Sequence, residues 1–332
     1  MKDRSRAQGA IVSDADLTLS TDARVRRYRQ AERAWWTHYG LDPTERFIDL
    51  GSPAGRLRVL EVGSGTPVLF IHGSAGAGPV WAPLVRELRG FRCLMLDRPG
   101  WGLSSPIDYA RFEYKTLVAD ILRGTLDALG VDRAHLIGAS IGEVWAIRLA
   151  AQHPSLIDRI VLIGGAPLLP ELPVPRIVRL LSSPIGAIMV RLPETPRFVR
   201  GQLRQLGHGA TLDAGRMDAF VQWRVGLMRH TDSTRHERAM IRAVASWRGF
   251  RPGLTFEDAE LAAIGQPTLY VYGTADPVGT VDIVRRAVGL LPQAELRLVE
   301  DGGHVPWLDD PSQVGSHVSR HLAGRRRQEE VR

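Results

Sequence analysis

Short runs of β-branched and apolar residues, bounded by Gly, Pro or Asp, alternate along the chain with stretches in which apolar positions recur at helical spacing. The runs predict strands at 46–50 (RFIDL), 56–62 (RLRVLEV), 67–71 (PVLFI), 91–96 (FRCLML), 134–139 (AHLIGA), 160–164, 268–272 (TLYVY) and 295–299 (ELRLV). The first two alternate and read as an antiparallel opening pair. The later ones are nearly continuous apolar runs, as expected of strands covered on both faces of a parallel sheet.

Helical spacing falls between the strands, at 80–89, 111–129, 141–152, 280–291 and 311–322. This order predicts an α/β fold with a doubly wound, mostly parallel eight-stranded sheet, whose ligands collect at the carboxyl ends of the strands. Residues 168–250 break the rhythm: after a Pro-rich entry (Pro167, Pro170, Pro173, Pro175) they read as several helices without a strand. So long an insertion is not a structureless loop, and it is expected to form a helical cap between the sixth and seventh strands. The expected division is an N-terminal arm and helix (1–45), a first part of the core (46–167), the cap (168–250), a second part of the core (251–323) and a basic tail (324–332). Residues 1–20 and the tail are expected to be mobile. No internal repeat is visible.

Composition narrows the function classes. The 332 residues are 44% hydrophobic and 24% charged, which excludes disorder throughout and allows a large core. The single cysteine, Cys93, cannot form an internal disulfide, and no Cys/His cluster has zinc-like spacing, so no metal site is expected. No stretch of ~18 uncharged apolar residues is present, so no membrane span is expected and a cytoplasmic location is the default. The net charge is +7, and the only lysines are Lys2 and Lys115. No basic face with base-stacking aromatics belongs to a known module, so nucleic acid is not an expected partner. Nothing in the sequence speaks to oligomeric state.

The sharpest chemical signal is Gly138-Ala139-Ser140-Ile141-Gly142, placed between a strand and a helix. A serine on so tight a turn needs small neighbours, and the following helix aims its free N–H groups at the hydroxyl. A serine hydroxyl is a poor nucleophile at neutral pH, so it needs a base, and the base needs a partner that fixes its tautomer. Of ten histidines, His304 alone sits in a Gly-rich loop after a strand and before a helix. His135, His153, His317 and His321 fall in or beside strands and helices, where packed or solvated rings are expected. Asp276 follows the strand 268–272, whereas the turn after 160–164 (Gly164-Gly165-Ala166-Pro167) has no carboxylate. Asp301, Asp309 and Asp310 read as a solvated loop and a helix start. No G-x-G-x-x-G fingerprint follows a strand, and no cofactor is expected.

Together these motifs resemble a capped, serine-nucleophile α/β-hydrolase, from about residue 46 to residue 322. His72-Gly73-Ser74 is similar to that family's oxyanion loop, and the run from Asp97 to Ser104 (DRPGWGLS) resembles its D-x-P-G-x-G-x-S turn. Asp276 and Gly302-Gly303-His304 stand where the family places its acid and its histidine. The resemblance implies a triad of Ser140, Asp276 and His304, and an oxyanion hole from the backbone N–H groups of Ser74 and Ile141. His72 is expected to be a brace rather than a catalyst. The implied reaction is hydrolysis of a small or medium apolar ester through an acyl-enzyme. A carbon–carbon bond hydrolase of meta-cleavage products, a perhydrolase or haloperoxidase-like enzyme, and a ligand receptor without turnover are the alternatives. Ser140 excludes the epoxide hydrolases and haloalkane dehalogenases, which carry aspartate there.

Two positions depart from the pattern. Glu143 stands where many members have a second small residue, and it is expected to make a favourable helix-dipole contact. Val305 stands where carbon–carbon bond hydrolases usually carry Trp. Trp35 and Trp36 are expected to pack helices, whereas Trp223 and Trp247 are candidates to line a pocket beneath the cap.

Overall fold

The computed structural model describes residues 11–12, 22–74, 76–165, 169, 174, 176–191, 194–246, 249–251 and 254–324. Most of the expected N-terminal arm, the prolines at 167, 170, 173 and 175, Trp247, and the tail from 325 onward lie outside them.

All eight expected strands form. They are β2 (Thr44–Asp49), β3 (Arg56–Val62), β4 (Thr66–Ile71), β5 (Phe91–Leu96), β6 (Ala134–Ala139), β7 (Ile157–Ile163), β10 (Thr268–Gly273) and β11 (Ala294–Val299). A ninth, β1 (Ile11–Val12), pairs antiparallel with Ile48 and Phe47 at the sheet edge. The spatial order is β1-β2-β3-β5-β4-β6-β7-β10-β11. β2, β3 and β5 are joined antiparallel, and from β5 to β11 every pairing is parallel. Every residue of β6 and of β10 is buried, which is why their sequences lack alternation.

The winding direction changes at β4, since the chain leaves it for β5 on one side and returns to β6 on the other. An open α/β sheet splays at such a point and leaves a crevice beyond the strand ends. The register sets those ends level: Ile71 lies opposite Gly138, and Ala139 opposite Ile163.

Helices cover both faces, burying two large apolar clusters. α1 (Ala23–His38) begins at Asp22, whose carboxylate accepts from the Arg24 N–H, and its buried residues Tyr28, Glu32, Trp35 and Trp36 recur at helical spacing. A single 3₁₀ turn, Gly78–Trp81, leads into α2 (Ala82–Glu87). α3 (Tyr114–Ala128) and α4 (Ile141–Gln152) follow as their spacing predicts. Between β7 and β10 lie α5 (Arg176–Ser182), α6 (Pro184–Met189), α7 (Pro196–Gln205), α8 (Gly209–Asp213), α9 (Asp218–His230) and α10 (Ser233–Val244). This stretch was expected to contain no strand, yet β8 (Ala245–Ser246) and β9 (Gly249–Phe250) form a small hairpin at its end, too short to leave a periodic signal. α11 (Asp258–Ala262), α12 (Val281–Leu290) and α13 (Pro311–Leu322) complete the chain. None of the described helices is long and apolar enough to cross a membrane.

Trp35 and Trp36 are buried, as expected of packing residues. Trp223, a pocket candidate from sequence, is also a packing residue: only 1% exposed, it stacks on Trp35 with ring centroids 5.9 Å apart and so fastens α9 to α1. A lone helical stretch cannot reveal which of its faces meets another helix.

The same N-terminal helix is tied to the sheet by charge. Arg58 on β3 is 2% exposed and donates from both terminal nitrogens to the Glu32 carboxylate (2.8 and 2.7 Å), from Nε to Glu45 (2.5 Å) and to Asp97 (3.3 Å). Replacing one member of such a cluster strands the rest in a low dielectric. Arg58→Met is therefore expected to lower the unfolding free energy by about 3–5 kcal/mol, read from the denaturant midpoint at constant slope.

Candidate active site

Ser140 occupies the turn between β6 and α4 with φ 52° and ψ −123°, a left-handed conformation costly for any residue with a side chain. The turn exists because its neighbours are glycines. A Cβ on Gly142 would lie 2.1 Å from the Ile71 carbonyl oxygen, and one on Gly138 would lie 2.6 Å from the Gly142 carbonyl oxygen. Only bare backbone lets α4 start so close to β4. The Ser140 N–H donates to the carbonyl of Gly164 at 3.1 Å, which binds the turn to the end of β7.

His304 follows β11, and its Nδ1 lies 2.9 Å from Oδ2 of Asp276, which follows β10. The Asp276 carboxylate also accepts from the N–H groups of Gly165 (2.9 Å) and Val278 (2.8 Å). With backbone donors to both of its oxygens, this carboxylate is the acceptor and Nδ1–H of His304 the donor of their contact, which turns Nε2 away from Asp276. The backbone of Gly165 lies between this ring and Ser140: a Cβ there would be 3.3 Å from His304 Cε1 and 4.0 Å from Ser140 Oγ. Gly164, at φ 67°, packs its α-carbon on the His304 carbonyl, where a Cβ would come within 1.7 Å of the oxygen. Ser140, Asp276 and His304 thus meet at one sheet edge, around a two-glycine turn.

The loop after β4 borders the same turn. A Cβ on Gly73 would lie 3.1 Å from the Ser140 Cβ. His72 is fully buried, and burial together with the nearby Arg98 guanidinium holds its imidazole well below the usual histidine range. Neutral, it accepts the Arg98 N–H at Nε2 (3.1 Å) and donates from Nδ1 to the Gly73 carbonyl (2.8 Å). The Arg98 guanidinium donates to the same carbonyl at 2.9 Å and lies 4.2 Å from the Trp101 ring centroid. Because a trans peptide points its N–H opposite its C=O, fixing the Gly73 oxygen turns the Ser74 N–H away from His72 and Arg98. Ser74 itself is exposed, and Ile141 opens α4, where an N–H has no partner within the helix. Asp97 braces the adjacent turn, accepting from the N–H groups of Gly78 (2.6 Å) and Leu103 (3.1 Å), while burial pushes its carboxyl up to about 6.

A family model for the α/β hydrolase fold matches residues 66–204. The chain is 27% identical over 275 residues to a 2-hydroxy-6-oxononadienedioate/2-hydroxy-6-oxononatrienedioate hydrolase of Cupriavidus pinatubonensis, covering 79% of this chain and 89% of that one. Among solved structures, a carboxylesterase from Bacillus subtilis matches with a TM-score of 0.68 at 19% identity, over 91% of this chain and 99% of that one. The 2-hydroxy-6-oxo-6-phenylhexa-2,4-dienoate hydrolase from Rhodococcus matches with a TM-score of 0.69 at 20% identity, over 85% and 99%. The chain has the α/β-hydrolase fold.

This hydrolase contains a second buried histidine–carboxylate pair that sequence reasoning missed. His208, in the turn between α7 and α8, is fully buried, with Nδ1 2.8 Å from Asp309 Oδ2. The same Asp309 oxygen accepts from the Gly303 N–H (2.8 Å), and its partner oxygen from the Thr211 hydroxyl. His208 Nε2 accepts weakly from the Val305 N–H (3.4 Å), and the His304 N–H donates to the Leu206 carbonyl (2.8 Å). The loop carrying His304 is therefore clamped by residues 206–208. Asp309 is correspondingly no solvated loop residue, whereas Asp301 is exposed and Asp310 caps α13. The one local signal was Gly207-His208-Gly209, an interruption in a helical stretch.

Glu143 in this hydrolase corrects another expectation. It does sit in the first turn of α4, but it is fully buried: Oε2 accepts from the Tyr270 hydroxyl (2.9 Å), and Oε1 has no partner among the described residues. No cation among the described residues offsets it, so burial pushes its carboxyl well above the usual carboxylate range, and the Asp276 charge adds to the rise. The folded protein then keeps a proton that the unfolded chain releases above the ordinary glutamate pKa, so this site loses stability as pH rises. Glu143→Gln has no proton to lose. Its unfolding free energy relative to the parent, read from denaturant midpoints, is expected to climb between pH 4.5 and pH 8, by at most about 1.4 kcal/mol per pH unit. A difference that stays constant over that range counts against a protonated Glu143.

Proposed function

We propose that this hydrolase cleaves small or medium apolar carboxylic esters through an acyl-enzyme on Ser140. The observation that carries the reading is the 2.9 Å contact of His304 Nδ1 with Asp276, against the turn that holds Ser140. In this mechanism Nε2 of His304 takes the Ser140 proton as Oγ attacks the ester carbonyl carbon. The resulting oxyanion is stabilised by the N–H groups of Ile141 and Ser74, the latter oriented by the doubly bound Gly73 carbonyl. His304 then returns the proton to the leaving alcohol. Water activated by the same nitrogen releases the acid and restores Ser140. Asp276 holds the ring and stabilises its charged form. The chemistry uses only side chains, backbone donors and water. Residues 168–250 act in this reading as the cap that selects the acyl chain.

A second reading, carbon–carbon bond hydrolysis, has one supporting observation: several relatives, such as the one from Cupriavidus pinatubonensis, are named as 2-hydroxy-6-oxononadienedioate/2-hydroxy-6-oxononatrienedioate hydrolases. Val305 beside His304 weighs against it.

A fluorophosphonate probe is expected to label Ser140 alone, as located by peptide mass spectrometry, and Ser140→Ala to abolish labelling while remaining folded. A label on Ser74, Ser104 or Ser105 with Ser140 unmodified would reject the assignment. With p-nitrophenyl butyrate, Asp276→Asn is expected to lower kcat by about 10⁴-fold, and Asp301→Asn to leave it close to the parent value. Faster turnover of a 2-hydroxy-6-oxo-dienoate than of any ester in a chain-length series would replace the first reading by the second.

A further inference from the structure

The cap carries the charge of the whole molecule. Residues 168–250 contain thirteen arginines and no lysine against six acids, an excess of seven, which equals the net charge of +7 of the full chain. The rest of the protein is balanced. Arg179, Arg191 and Arg197 form no ion pair with any described carboxylate, in contrast to the paired arginines of the core.

This charge surrounds exposed apolar side chains. Of the five large hydrophobic residues that stand exposed among the described residues, four lie in α5–α7. Ile185 (58% exposed) and Ile188 (63%) are three apart and share one face of α6. At the foot of that helix, Arg238 of α10 donates to the carbonyl of Ser183, the residue that caps α6, at 3.1 Å. Arg235, Arg238 and Arg242 recur at helical spacing along α10. Partial burial and the neighbouring Arg242 and Arg191 guanidinia all press the Arg238 pKa downward, as crowded like charges do.

We propose that the exposed face of α6 that carries Ile185 and Ile188, with Arg191, Arg238 and Arg242 beside it, docks on an anionic lipid bilayer. Apolar side chains entering the headgroup boundary, collared by cations that meet lipid phosphates, are what peripheral attachment requires. The charge selects this occupant over others. A second copy of the chain would bring two faces of the same sign together, and a nucleic acid would leave the isoleucines without a role. Arginine suits the task because its guanidinium bonds phosphate oxygens in pairs and sheds water readily.

The test is co-sedimentation of the full chain with vesicles. Binding is expected to phosphatidylcholine vesicles containing phosphatidylglycerol, and to be at least about tenfold weaker to pure phosphatidylcholine or at high salt. Arg191→Glu with Arg242→Glu, and separately Ile185→Ser with Ile188→Ser, should each weaken binding by about tenfold or more. Both double variants should keep the parent circular dichroism and the parent turnover of a water-soluble ester. No binding, equal binding to both vesicle types, or parental binding by both double variants would overturn the proposal. So would a dimer in light scattering that the isoleucine pair dissociates, since the face would then join two copies of the chain.

Discussion

The structure turns on a clearance of a few ångströms beneath the start of α4. That helix can leave the end of β6 only where residues 138 and 142 have no side chains, because the carbonyl of Ile71 on the neighbouring strand occupies the space a methyl group would need. The crossing forces the intervening residue into a left-handed conformation, and that conformation turns the Ser140 side chain out of the turn and leaves the first N–H of α4 unpartnered within the helix. A local steric constraint thus sets where the Ser140 hydroxyl stands. The change of winding direction at β4 determines where on the sheet it lies.

Around that position, loops from strands far apart in sequence brace one another. The Gly164-Gly165 turn after β7 accepts the Ser140 N–H, donates to Asp276 and packs on the His304 carbonyl. The loop after β4 is set from its other side by His72 and Arg98, two buried groups that both donate to the Gly73 carbonyl. Burial is what makes these contacts directional: a neutral imidazole with one donor and one acceptor has one way to satisfy both.

Much of this was legible in the sequence because strand ends are punctuated. Ser140, Asp276 and His304 each follow an apolar run and sit among Gly or Pro, so their placement at the sheet edge could be read from local pattern alone. What could not be read depends on partners distant in sequence. His208 and Asp309 are 101 residues apart, and each looks ordinary in its own surroundings. Glu143 advertised its position in the first turn of a helix but not its burial, which comes from Tyr270 on a strand that enters the sheet more than a hundred residues later. Ile11–Val12 is too short to carry a period, and its pairing is decided by β2. Trp223 shows the same limit for helices, where periodicity reports that a face is apolar but not what covers it.

The clamp formed by Leu206, His208 and Asp309 ties the α7–α8 segment to the loop that carries His304. If α7 and α8 swung away from the sheet as a rigid lid, the Leu206 carbonyl would leave the His304 N–H and the His208 ring would leave Asp309, so opening the door would dismantle the lock. Any displacement of α7 and α8 is therefore coupled to the position of the His304 ring.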